Sequence, residues 1–310
     1  MKHFRSEREM GAGDFRPWAV EMITLPAAFL NSNRHRRGVT LVDVLVSIVV
    51  VVLLFGAVLP AAVRSPIEMR NRISCAKNLA RIAETLSDYA KSNRGAFPRG
   101  RYDTESGKCT TYTGVDLKDK KFFGDDSPEP NDVTAAFFVL LRVQALPYET
   151  FVCPSTDTES WDYGGNGKSA LDHGNFPDGG HLSYSFQNCY PTKKVAEAGF
   201  RWDSQIKAEF IVVADKNYGD PAILKLTPAS AVKDLQQHGN TNNHNRDGQN
   251  VLFGDGHVDF RTTPFCGIEQ DNIYTYGRRA DNKESMGIIG PPAHPADTVL
   301  LPADGRPGGQ

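Results

Sequence analysis

Residues 39–63 read VTLVDVLVSIVVVVLLFGAVLPAAV, and Asp43 is the only ionisable side chain among them. A helix of that length would be on the order of 37 Å long, enough to cross a hydrocarbon layer of roughly 30 Å. Strands that long are rare, and in lipid a helix has the advantage of satisfying its own backbone hydrogen bonds. The stretch therefore predicts a membrane-spanning helix. Arg34, His35, Arg36 and Arg37 precede it, and the positive-inside rule keeps that flank cytoplasmic, with everything after residue 63 on the far side. A cleaved secretory signal is the competing reading, but its apolar region would usually be only 7–15 residues long.

Moving outward, the whole chain has 310 residues, 40% apolar and 23% charged, which excludes a disordered or multi-span protein. Thirty-five basic and 37 acidic side chains leave a net charge of −2, against the basic face a nucleic-acid binder carries. Five cysteines without a CxxC exclude a zinc ribbon and a thioredoxin-type pair.

From Ile67 to Ser92, the residues Ile73, Ala76, Ala80, Ala83, Leu86 and Ala90 recur at three- and four-residue steps. That spacing predicts an amphipathic continuation of the helix, stopped at Asn93-Arg94-Gly95. A further helix is predicted from Val133 to Leu146, ended by Pro147, and strands are predicted at 182–186 and 210–214. Asp255-Gly256 lies between apolar alternations and predicts a hairpin. A two-residue type I′ turn there would pair Phe253 with Val258 and Val251 with Phe260, placing all four on one buried face. The predicted fold is α+β: a long N-terminal membrane-spanning helix running into a head with a mostly antiparallel sheet.

The junction Arg36-Arg37-Gly38-Val39-Thr40-Leu41-Val42-Asp43 resembles the leader junction of type IV prepilins and type II secretion pseudopilins. The resemblance implies cleavage by a prepilin peptidase after Gly38 and methylation of the new N-terminus at Val39. It also implies an assembly role for Asp43, which stands where the family usually has glutamate, facing the amine of an adjacent subunit. Translation from Met1 gives a leader of 38 residues, and a start at Met22 would give one of 17. Two further segments, Cys75-Ala76-Lys77-Asn78-Leu79 and Phe151-Val152-Cys153-Pro154-Ser155, extend the likeness to a family carrying a domain of unknown function behind such leaders. His244 and Asp255-Gly256 resemble that family's prepilin-associated H-X9-DG motif, with ten residues between His244 and Asp255 instead of nine. The resemblance implies a pilin-like head and a structural subunit of a surface or secretion assembly in the inner membrane. The head would lie on the periplasmic or outer side, and the partners would be the peptidase, other pilin-like subunits and the membrane. The alternative is a membrane-anchored head that binds a ligand or carbohydrate without forming filaments.

The implied organisation is a leader at 1–38, a span at 39–63, an amphipathic extension at 64–94, a head at 95–290 and a tail at 291–310. The tail is rich in Pro, Gly and Asp and is predicted to be disordered. His257 and Asp259, two apart on a strand, share a face that Asp215, His238 and His244 could approach. Such a set would suit zinc, or calcium through its carboxylates; the other reading makes Asp255-Gly256 a turn and His244 a partner of loop backbone. No cofactor is required. With no GxSxG and no cysteine beside a histidine in sequence, no enzyme is predicted. Cys109, Cys153, Cys189 and Cys266 allow two disulfides in three pairings, while Cys75 reads as a small buried side chain on the helix.

Overall fold

The computed structural model of the chain describes residues 40–104, 128–144, 146–278 and 285–303. The chain divides into two compact units, Met1–Ala57 and Val58–Gln310. The first helix, α1, covers Leu41–Ser92. Its start is fixed by a reciprocal cap: the Thr40 amide donates to Asp43 Oδ2 at 3.0 Å and the Asp43 amide donates to Thr40 Oγ1 at 3.2 Å. Its end is the predicted one. Gly95 takes φ +88° and its amide donates to the Ala90 carbonyl at 2.8 Å, closing the last turn.

The membrane reading is corrected. Among the described residues no helix is long and apolar enough to cross a membrane. Beyond Pro66 the same helix carries Glu68, Arg70, Arg72, Lys77 and Arg81 and belongs to the folded unit. The predicted single-pass inner-membrane placement, with a cytoplasmic N-terminus and a head on the periplasmic or outer side, falls with the span. The α+β class and the antiparallel sheet stand.

In the second unit, α1 contributes Cys75, Leu79, Ile82, Leu86 and Ala90 to the main core, each 3% exposed or less. This stripe is rotated from the predicted one, in which Ile73 was the leading residue; Ile73 is half exposed. A run of alanines beside the true stripe gave both faces a similar periodicity, and the larger Leu79 and Ile82 decide which one is buried. Helix α2, Val133–Gln144, lies within the predicted helix. Its Phe137 stacks on Phe186 with ring centroids 4.0 Å apart, and Phe138 meets Phe176 edge-on at 5.2 Å.

Five strands form the central antiparallel sheet: β1 (Tyr184–Gln187), β2 (Ile211–Asp215), β3 (Gln249–Phe253), β4 (Val258–Arg261) and β7 (Leu300–Leu301). Their order is β4-β3-β2-β1-β7. A two-stranded ribbon joins β5 (Tyr276–Arg278) to β6 (Ser285–Gly287). The main core includes α1, α2, Phe186, Val213 and Leu252. A second cluster gathers Ile211, Ala214, Val251, Phe253, Ile273, Tyr274 and Leu300. Alternate residues of β3 (Val251, Leu252, Phe253) thus serve different clusters, as the two faces of a pleated sheet require, while in β2 a register shift between Ile211 and Val213 puts adjacent Val212 and Val213 in the same core.

Two sequence expectations change here. Within the predicted disordered tail, the described residues 291–303 supply the edge strand of the sheet: Leu301 pairs with Phe186 and Leu300 with Gln187. Composition hid this because the only apolar run, Val299-Leu300-Leu301, is short and flanked by prolines. The 255–256 hairpin is present, but its register is shifted by one residue: Leu252 pairs with Val258, Val251 with Asp259 and Asn250 with Phe260. The loop comprises Gly254, Asp255 and Gly256. Gly256 takes φ +90° and its amide donates to the Phe253 carbonyl at 2.9 Å. This is the three-residue hairpin with a left-handed glycine, not the type I′ turn. Gly254 sets the difference. Its amide donates to the Phe210 carbonyl at 2.7 Å, and a Cβ placed on it would come within 2.3 Å of the Lys207 carbonyl oxygen. Val258 and Phe260 consequently share a face with Leu252 and Asn250.

Candidate functional site

The chemistry of the head converges on His244. It lies in a short loop, residues 241–248, where His244, Asn245 and Arg246 all take positive φ, +57°, +56° and +62°. Such backbone is strained for residues other than glycine and persists only where the surroundings hold it. Here the surroundings are two carboxylates. His244 Nδ1 lies 2.6 Å from Glu68 Oε1 on α1, and Nε2 lies 3.3 Å from Asp215 Oδ2 at the end of β2. Both His244 and Asp215 are fully buried. Burial alone would lower the imidazole pKa, but the hydrogen bonds and negative charges of Asp215 and Glu68 outweigh it and raise the value.

Each carboxylate is held in turn. The Asn250 amide donates to Asp215 Oδ2 at 2.6 Å and Asn243 Nδ2 donates to Oδ1 at 3.2 Å, while the Asn250 side-chain amide lies 3.0 Å from His244 Nε2. Arg72, one turn beyond Glu68, places Nε 3.5 Å from Glu68 Oε1; it also pairs with Asp247 and sits 4.4 Å over the Phe260 ring. The His244 loop is thereby tied to α1, β2 and β3 at once.

A disulfide borders this cluster. Cys75 on α1 is bonded to Cys153, with Cα atoms 5.3 Å apart, and Cys153 Sγ lies 3.7 Å from His244 Nε2. The expected pairings are therefore revised. Cys153 takes Cys75, the cysteine read as a lone core residue, and Cys189 and Cys266 are free. Cys109 lies outside the described residues. Burial pushes the Cys189 thiol up to about 11 and the Cys266 thiol up to about 12, so neither is a ready nucleophile.

The structure places the remaining predicted residues apart from this cluster. Asp255 accepts from the His257 amide at 3.1 Å and pairs with His257 Nδ1 at 2.5 Å, both within its own hairpin. His257 stacks on Phe253 with centroids 4.2 Å apart, and Asp259 is exposed and pairs with Arg261. His238 pairs with Asp220 at 2.7 Å. Of the predicted metal candidates Asp215, His257 and Asp259, only Asp215 belongs to the His244 cluster. Among the described residues, one set of three or more metal-capable groups lies close together: Cys75, Cys153, Asp215 and His244. Gly38 and Val39 lie outside the described residues, and Asp43 is engaged with Thr40.

Glu68 and Cys75 were not read as partners of His244, Cys75 being taken for a small buried side chain; Cys153 was read as a disulfide candidate with other partners, and Asn250 was not singled out. A signal for the first two exists: Glu68, Arg72, Cys75, Leu79, Ile82, Leu86 and Ala90 form one continuous three-four-spaced stripe, so two charges and a cysteine extend the apolar face of α1. The cluster joins segments too far apart in sequence for local spacing to reveal, His244 standing 176 residues from Glu68 and 91 from Cys153. Comparison of the chain with protein-family models, with curated proteins and with solved structures finds no match in any of the three.

Proposed function

We propose that the protein is a pilin- or pseudopilin-like structural subunit, joined to other such subunits through the N-terminal part of α1 and processed by a prepilin peptidase after Gly38. One observation carries this reading. Leu41, Val42, Val44, Leu45, Val46, Ile48, Val49, Val50, Val51, Val52 and Leu53 are each between 47% and 78% exposed, around the whole circumference of the helix. A helix apolar on every side calls for burial on every side. Burying such a side chain from full exposure is worth roughly 1.5–3 kcal/mol, and each of these partly exposed ones gains roughly half to three-quarters of that, which neighbouring copies of the same segment would supply. The head then serves as a rigid body, its His244 cluster fixing the loop to α1. No step of catalysis is assigned to it.

The test is cysteine crosslinking of the full chain in its native cell. Val49→Cys is expected to give a ladder of disulfide-linked species on mild oxidation, and N-terminal sequencing is expected to begin at Val39. A chain that remains monomeric with Cys at position 49, or whose leader is intact, would overturn the reading.

A further inference from the structure

We propose that Cys75, Cys153, Asp215 and His244 form a closed zinc site in the reduced chain, for which the Cys75–Cys153 disulfide is the oxidised alternative. This inference is independent of the assembly reading. One donor atom from each of the four residues lies within 4.8 Å of all the others, and all four residues are buried. With zinc bonds of about 2.3 Å to sulfur and about 2.0–2.2 Å to nitrogen and oxygen, a tetrahedron has N···O edges of about 3.4 Å and N···S edges of about 3.6 Å. The protein already holds His244 Nε2 3.3 Å from Asp215 Oδ2 and 3.7 Å from Cys153 Sγ. Two of the edges are therefore in place. The sulfur pair must separate from a bond to an edge of about 3.8 Å, and the three remaining edges, each no longer than 4.8 Å, must settle near 3.6 Å.

The surroundings match what a metal-bound histidine needs. Such a histidine almost always gives its other ring N–H to a carboxylate or carbonyl, which fixes its tautomer. Glu68 Oε1 stands 2.6 Å from His244 Nδ1, so Nδ1 donates to Glu68 and the Nε2 lone pair faces the Asn250 side-chain amide 3.0 Å away, which a metal ion would displace. Asp215 is likewise oriented by Asn243 and the Asn250 amide. Two thiolates and a carboxylate bring a charge of −3 to a divalent ion, and Arg72 beside Glu68 offsets part of the excess. Thiolate sulfur selects zinc over calcium.

The interconversion balances with a dithiol as reductant. Two electrons pass from the dithiol to the Cys75–Cys153 bond, which breaks as the dithiol closes to its own disulfide. The two thiols so formed lose their protons to solvent as the zinc ion binds. Oxidation reverses the sequence and releases the ion.

The experiment uses the full chain, reduced with a dithiol in denaturant, freed of excess reductant and refolded without oxygen in the presence of Co²⁺. One Co²⁺ per chain is expected, with a thiolate charge-transfer band and tetrahedral d–d absorption that one equivalent of Zn²⁺ abolishes. The oxidised chain is expected to give neither band. His244→Ala and Asp215→Asn should lose or blue-shift the tetrahedral spectrum, Glu68→Gln should weaken binding by about 10–100-fold, and His257→Ala should change nothing. Because His244→Ala removes a buried group that organises a strained loop, Glu68→Gln, on a partly exposed side chain, serves as the variant expected to keep the fold. Four results would overturn the proposal: a reduced chain without the charge-transfer band, a spectrum untouched by His244→Ala and Asp215→Asn, equal binding by the oxidised chain, or a reduced chain that stays unfolded with zinc present.

Discussion

At Gly256 a single backbone angle decides what substitutions do. The residue takes φ +90°, and a Cβ built there meets nothing closer than 3.9 Å, so the cost of a side chain is conformational and not steric crowding. Gly256→Val is expected to destabilise by about 1–3 kcal/mol. Asp255 acts only as an acceptor for the His257 amide and ring, and asparagine keeps an acceptor there. Asp255→Asn is therefore expected to leave the melting temperature nearly unchanged, and chelators should have no effect on this hairpin. Thermal melts of the two variants, with and without chelator, check both outcomes; a large loss with Asp255→Asn would reinstate an ion at the turn. The dipeptide made the hairpin legible in the sequence, but the register was not. The deciding contact is Gly254 against Phe210 and Lys207, a long-range approach of backbone to backbone that alternation along one segment does not record.

At the scale of elements, α2 is held at its start by a buried aspartate. Asp132 Oδ1 accepts from the Ala135 amide at 3.0 Å and Oδ2 accepts from Asn175 Nδ2 at 2.9 Å, the arrangement of a helix N-cap. Burial outweighs these hydrogen bonds and raises its pKa from 3.8 to about 6. Between those values the folded chain binds more protons than the unfolded one, so this group makes stability fall as pH rises from about 4 to about 6. Asp132→Asn is expected to flatten that slope, measured as melting temperature against pH on the otherwise unchanged chain. An unaltered slope would place the proton elsewhere. α2 was legible from its apolar spacing and the proline that follows it. The burial of its cap was not, because it depends on Asn175 and on a core assembled from distant aromatic residues. The stripe of α1 shows the same limit: periodicity found the helix and its glycine stop, but neighbouring alanines left its rotation ambiguous.

For the molecule as a whole, the Cys75–Cys153 bond joins α1 to the middle of the head across 78 residues. A loop of that size restricts the unfolded chain by an amount worth about 4.5 kcal/mol in the chain-entropy model. At roughly 2–4 °C per kcal/mol for a unit of this size, Cys75→Ala with Cys153→Ala is expected to lower the melting temperature by about 9–18 °C. Calorimetry under non-oxidising conditions checks it, and a loss below a few degrees would show that the packing of α1 dominates. The α+β class and the antiparallel sheet were readable from alternation and turns. The span was overread, because one apolar run was taken alone and not with the charged helix it continues into. The His244 cluster was half readable: its histidine and Asp215 stood out as chemistry-bearing residues, while the partners that give them meaning come from across the chain.

The strand at Leu300–Leu301 has a consequence for how the protein is made. β1 is an interior strand whose outer edge is closed by this segment, with the Val299 amide donating to Gln187 Oε1 across 112 residues and the Asn188 amide donating to the Val299 carbonyl at 2.8 Å. Synthesis proceeds from one end, so β2, β3 and β4 reach the growing chain well before β1 acquires its neighbour on the other side. Throughout that interval a strand that the finished fold buries completely presents unpaired amides and carbonyls, the surface on which one nascent chain can recruit another. Slowing translation between residues 187 and 301 is thus expected to raise aggregation of the nascent chain without altering the finished fold, which the insoluble fraction from slow-codon and fast-codon versions of that stretch would measure.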